Sequence, residues 1–130
     1  MTFDFVYVTA ASPEQAQEIG RKLVEERLAA CVNIFEAMKS LYWWQGRIEQ
    51  ANEAVLIAKT RSDLVPALVK RVKALHSYSC PCVVALRVGK GNPDFLKWIA
   101  AETARADGGR KSIRQREKAP RSGPKGSGRK

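Results

Sequence analysis

The chain has one histidine, three cysteines and two methionines, so side chains able to hold a soft metal ion are scarce and such a site must use most of them. Three cysteines are an odd number, which excludes a complete set of intrachain disulfides, and free thiols fit a reducing compartment. No stretch nears the roughly eighteen consecutive apolar residues of a membrane span. The opening MTFDFVYVTAAS puts Asp4 where a secretory signal wants positive charge. These absences lead us to expect a soluble, cytoplasmic protein with no membrane contact. Catalytic patterns are absent as well: no Ser, His and Asp arrangement is legible, no paired carboxylates stand out, and there is neither a Walker loop nor a dinucleotide fingerprint. GKGN at 89–92 is too short for a phosphate cradle and reads as a turn. We expect no enzyme.

Acidic, aromatic and aliphatic residues are what the C-terminal segment lacks. From Arg105 to Lys130, ten Lys or Arg meet only Asp107 and Glu117, so this stretch carries +8 of the chain's +10. Its only large aliphatic residue is Ile113, so it has too little apolar surface to offset its ordering entropy. We therefore expect one domain over 1–104 and a disordered basic tail over 105–130. Such a tail would attract polyanions, with affinity falling steeply as salt rises. Without aromatic residues for base stacking, the contact would be weak and non-specific. A solubilising extension is the plainer role.

Over 1–104 the patterns are clear. FDFVYVT (3–9) is β-branched and aromatic, as a strand is. In SPEQ, Ser12 can cap a helix, Pro13 suits its first turn and Gln15 can reach back to the cap backbone. Ala16, Ile19, Leu23, Val24 and then Arg27–Leu28 follow at helical spacing. LAACVNIF leads into a second strand through SLYWW, Gln45-Gly46 can turn, and RIEQANEAVLIAKT supplies a third strand. A second helix, capped by Ser62 or Asp63, carries Leu64, Val65, Leu68, Val69, Val72 and Leu75 on one face. CVVALRV (82–88) is a fourth strand, and Asn92-Pro93 opens a last short helix. The order βαββαβα predicts an α+β, ferredoxin-like βαββαβ sandwich with an extra C-terminal helix and an antiparallel sheet. Its second sheet face needs a cover, which identical copies would supply.

RLAACVNI (27–34), SLYWWQGRIE (40–49), LIAKT (56–60), HSYSCP (76–81) and DFLKWI (94–99), in that order and spacing, resemble the CutA divalent-cation-tolerance proteins over residues 3–103. The resemblance implies a ferredoxin-like protomer, a homotrimer whose neighbouring sheets extend one another, and a shape similar to the trimeric PII signalling proteins. It also implies tolerance of copper and other divalent metals rather than a defined reaction. This chain departs from the family pattern at Ser77, where proline is usual, and at Cys82, where glutamate is usual. It also has Val8 and Leu75 where copper-linked members have cysteine and a second histidine.

HSYSCPC (76–82) sets the single imidazole beside two thiols, donors that suit copper or zinc. We take His76, Cys82, Cys80 and Cys31 as candidate metal ligands. Alternation along a strand would aim Cys80 and Cys82 the same way, although C-x-C with one histidine is a sparse motif. Each residue has a plainer alternative. Cys82 and Cys31 suit packed apolar positions, Cys80 a loop, and His76 the end of the second helix, where a partly positive ring favours the dipole. Tyr78, Lys59 and Trp44 are candidates to line a pocket between subunits, with Trp44 and Trp98 otherwise aromatic core. Three functions follow: metal or small-ligand binding at inter-subunit clefts, a PII-like module engaging a protein partner, and polyanion binding by the tail.

Overall fold

The computed structural model describes residues 1–104; the disorder and polyanion contact expected of 105–130 lie outside the described residues. Strand β1 (Phe3–Ala10) alternates faces, with Val6, Val8 and Ala10 wholly buried and Phe5, Tyr7 and Thr9 turned to the opposite side. Helix α1 (Pro13–Glu25) begins as the sequence predicts, the Ser12 hydroxyl accepting from the Gln15 amide at 3.1 Å. The Gln15 side chain reaches one residue further back than a capping box requires, accepting from the Ala11 N–H at 2.9 Å.

Ala16, Ile19, Gly20 and Leu23 form the buried stripe of α1. Val24, expected in it, sits at the surface, because the helical repeat swings position 24 about 80° from the stripe's centre line. Gly20 permits a close approach: a Cβ there would lie 3.0 Å from Val32 Cγ2 and 3.2 Å from Leu56 Cδ1. Arg27, also expected in the stripe, instead ends the helix in the left-handed region, with φ 63°. From there its guanidinium binds the carboxylate of Glu102 at 2.7 Å and the Glu102 carbonyl at 3.0 Å.

Strands β2 (Cys31–Trp44) and β3 (Arg47–Arg61) make the long hairpin. Gln45 and Gly46 turn it with φ of 52° and 79°, the doubly left-handed geometry that matches strand twist. A bulge between Phe35 and Met38 divides the hairpin. The part before it packs on the domain and the part beyond it projects as an arm. A single 3₁₀ turn (Ser62–Leu64) leads into α2 (Val65–Leu75). Neither Ser62 nor Asp63 caps α2: Ser62 donates to Asp4 at 2.5 Å and Asp63 pairs with Arg61 at 3.0 Å. The extra turn shifts the helix start past both.

Strand β4 (Val83–Arg87) begins one residue later than expected, though the Thr9 N–H still donates to the Cys82 carbonyl at 3.3 Å. Helix α3 (Pro93–Thr103) is capped by Asn92, whose side chain accepts from the Asp94 N–H at 3.0 Å. The sheet order is β2-β3-β1-β4, antiparallel throughout. It is a ferredoxin-like α+β sandwich with an added C-terminal helix, as expected. The core of Val6, Val8, Ile19, Leu23, Leu56, Leu68 and Val72 fills the space between the sheet and helices α1 and α2. The opposite face is covered at one end by α3, where Lys59 lies over the rings of Phe5 and Phe95 at 5.2 and 5.4 Å. Beyond that, Val84 and Leu86 are 52 % and 58 % exposed on that face.

Candidate functional site

The segment after α2 is fastened at several points. The Nε2–H of His76 donates to the Thr9 carbonyl at 2.7 Å, while its Nδ1 accepts from the Tyr78 N–H at 3.1 Å. His76 stands at the C-terminal cap of α2, as expected, and its ring ties the loop to β1. Ser77 accepts from the Gln15 amide group at 2.8 Å, a bond that ties the loop to α1. Tyr78 stacks beside His76, ring centres 4.7 Å apart, and points its hydroxyl across to β3.

There it meets Glu53 of β3. Glu53 is nearly buried, its Oε2 accepting from Tyr78 Oη at 2.8 Å and its Oε1 from Ser40 Oγ at 2.5 Å. Burial, then the hydrogen bond to Glu53, push the Tyr78 phenol up to about 12. Cys82 is exposed at the cleft rim, and partial desolvation first and the Glu53 charge second raise its thiol. The sequence held one signal for Glu53: it directly precedes the apolar run AVLIA and shares the parity of Val55 and Ile57, which places it on one sheet face with them.

These residues line a cleft of about 500 Å³ between the arm and the 78–82 loop, with Glu53 and Tyr78 in its wall, Tyr42 and Trp44 from the arm, and Cys80 and Cys82 beside them. The expectation of Trp44 as aromatic core is corrected: it is 49 % exposed, because it lies beyond the bulge. Trp98 instead packs on Phe95, ring centres 5.6 Å apart.

Of the four candidate ligands, the fold gathers Cys80 and Cys82. Cys31 stands opposite Lys59, which in turn pairs with Phe5, whereas Cys82 sits at the Thr9 end of β1. Four residues of strand separate those rows, about 13 Å. Burial raises the Cys31 thiol, partly opposed by Lys59. All three cysteines are free. Among the described residues no group of three or more His, Cys, Asp or Glu is arranged to hold an ion, and no helix is long and apolar enough to cross a membrane. A second groove, about 570 Å³ between α1 and β2, contains neither cysteine nor histidine.

Fold and cleft together define a class: a ferredoxin-like α+β protein with a long hairpin and a largely apolar, thiol-bearing cleft between that hairpin and the 78–82 loop. Residues 5–102 match the family described as CutA1 divalent ion tolerance protein, and the chain belongs to that family. It is 48 % identical over 96 residues to the divalent-cation tolerance protein CutA of Archaeoglobus fulgidus, covering 74 % of this chain and 93 % of that one. The corresponding protein of Thermus thermophilus is 45 % identical over 100 residues, 77 % of this chain and 97 % of that one. Among solved structures, CutA1 of Oryza sativa superposes with a TM-score of 0.78 at 40 % identity, covering 79 % of this chain and 94 % of that one. The A. fulgidus protein, described as periplasmic, superposes at 0.76 with 46 % identity, covering 78 % and 98 %.

Proposed function

We propose that this chain is a non-enzymatic, cytoplasmic divalent-cation tolerance protein that binds a metal ion, or another small ligand, in the Glu53 cleft at the seams of a homotrimer. The reading rests on Cys80, Cys82 and the Glu53 carboxylate lining one cleft, without forming within one protomer a group that could hold an ion. Two thiols favour a soft or borderline ion, copper or zinc. The donor set within one protomer is short of a closed site, so a neighbouring copy would supply the remainder. His76, with both ring nitrogens engaged by backbone, serves the site by holding its loop. Cys31 lies too far along the sheet to share the ion.

The seam has independent support. Leu41, Trp43 and Ile48 on the arm are 69 %, 71 % and 64 % exposed, and Trp43 pairs directly with Ile48 across the hairpin. Covering each large apolar side chain contributes roughly 1.5–3 kcal/mol. Free thiols on a loop favour a reducing compartment.

The test is a metal titration of reduced protein followed by thiolate-to-metal absorbance. The expected result is a saturable band that is lost in Cys80→Ser and Cys82→Ser and retained in Cys31→Ser. A band unaffected by the first two substitutions, or no band with any thiophilic ion, would contradict the metal reading.

A further inference from the structure

We propose that the Glu53 cleft takes a small organic cation, an ammonium group carried on an apolar body. This rests on the reading of the cleft as a ligand site and goes beyond it by naming a ligand class. The argument begins at the cleft wall. Glu53 is 9 % exposed, and both its oxygens accept from neutral hydroxyls, those of Ser40 and Tyr78. Among the described residues of one protomer, no Lys, Arg or His lines the cleft. A carboxylate in a recess, accepting only from neutral hydroxyls and facing no lining cation, is an electrostatic partner for an entering positive group.

The other walls select what carries that charge. Tyr42, Trp44 and Tyr78 present aromatic surface to the cavity, and a ring face attracts a weakly hydrated cation. Tyr42 and Trp44 are 41 % and 49 % exposed, so apolar ring area is available for contact. A hard divalent ion would need several oxygen ligands or retain its water, and one carboxylate does not supply them. An anion would be repelled. An uncharged apolar ligand would desolvate Glu53 further without compensation. A cleft of about 500 Å³ is within the range of small-molecule sites.

The test is an NMR titration of the reduced, full-length protein with choline and with its uncharged carbon isostere, dimethylbutanol, read at the Trp44 indole. Choline should bind saturably, with the isostere weaker by about tenfold or more. Glu53→Gln should weaken choline by a similar factor. Trp44→Leu, at a half-exposed position that keeps the carboxylate, should also weaken it; this variant and the isostere comparison decide the matter if Glu53→Gln does not fold. Equal binding of choline and its isostere would overturn the cation inference and leave the cleft a ligand site. Absence of choline binding would also overturn it, and the metal titration would then show whether the site reading falls as well.

Discussion

Tyr78 donates to Glu53 from a position where burial and the neighbouring carboxylate hold its phenol at about 12, above its ordinary 10.0. A raised pKa means that the folded state favours the protonated phenol. Its contribution to stability is therefore complete below about pH 10 and lost as pH rises through about 12. Chemical denaturation across that window should show a steeper alkaline loss in the parent protein than in Tyr78→Phe. At neutral pH the same substitution should cost about 1 kcal/mol, the net worth of one hydrogen bond. Cys82 follows the same logic, since partial desolvation and the Glu53 charge both favour its thiol form although the residue is exposed. Alkylation at pH 8 should be slower there than for an unhindered thiol, and Glu53→Gln should speed it. The sequence located this loop but not the work each residue does in it. His76 looked like a ligand because its backbone acceptor, Thr9, is 67 positions away, and Glu53 was marked only by its place before AVLIA, because its two hydroxyl donors come from Ser40 and Tyr78, on different elements.

Helices and strands were legible wherever a local rule governs them. Ser12 and Asn92 cap as composition demands, and Gln45-Gly46 turns as a two-residue hairpin should. The rules failed where a distant partner intervened. Ser62 was taken by Asp4 and Asp63 by Arg61, so α2 starts without a side-chain cap. Arg27 left the stripe of α1 to hold Glu102 on α3. That pair is mostly buried and ties two helices together, so Glu102→Ala should destabilise the protein by about 2 kcal/mol in urea unfolding, since it strands the guanidinium. At Gly20 two effects oppose. Alanine would raise helix propensity by about 1 kcal/mol, but its methyl would press on Val32 and on the wholly buried Leu56. Overpacking costs about 1–3 kcal/mol, so Gly20→Ala should lower stability by about 1 kcal/mol.

At the scale of the molecule, the described residues divide into a packed sandwich and an arm that one protomer leaves bare. The core of Val6, Leu23, Leu56 and Val72 is closed by α1 and α2, whereas Leu41, Trp43 and Ile48 on the arm, with Val84 and Leu86 on the sheet, face solvent. The wide apolar content of β1 and β3 announced a second sheet face in need of cover; the bulge at Phe35/Met38 had no sequence signature. Trp43→Ser with Ile48→Ser should weaken self-association while leaving the circular-dichroism spectrum of the sandwich unchanged. The central claim is that three copies cover this surface and that their seams complete the clefts. Sedimentation equilibrium of the reduced protein at micromolar concentration tests it most directly. The expected result is one species of three chain masses, each 14.4 kDa, and a folded species of a single chain mass would contradict it.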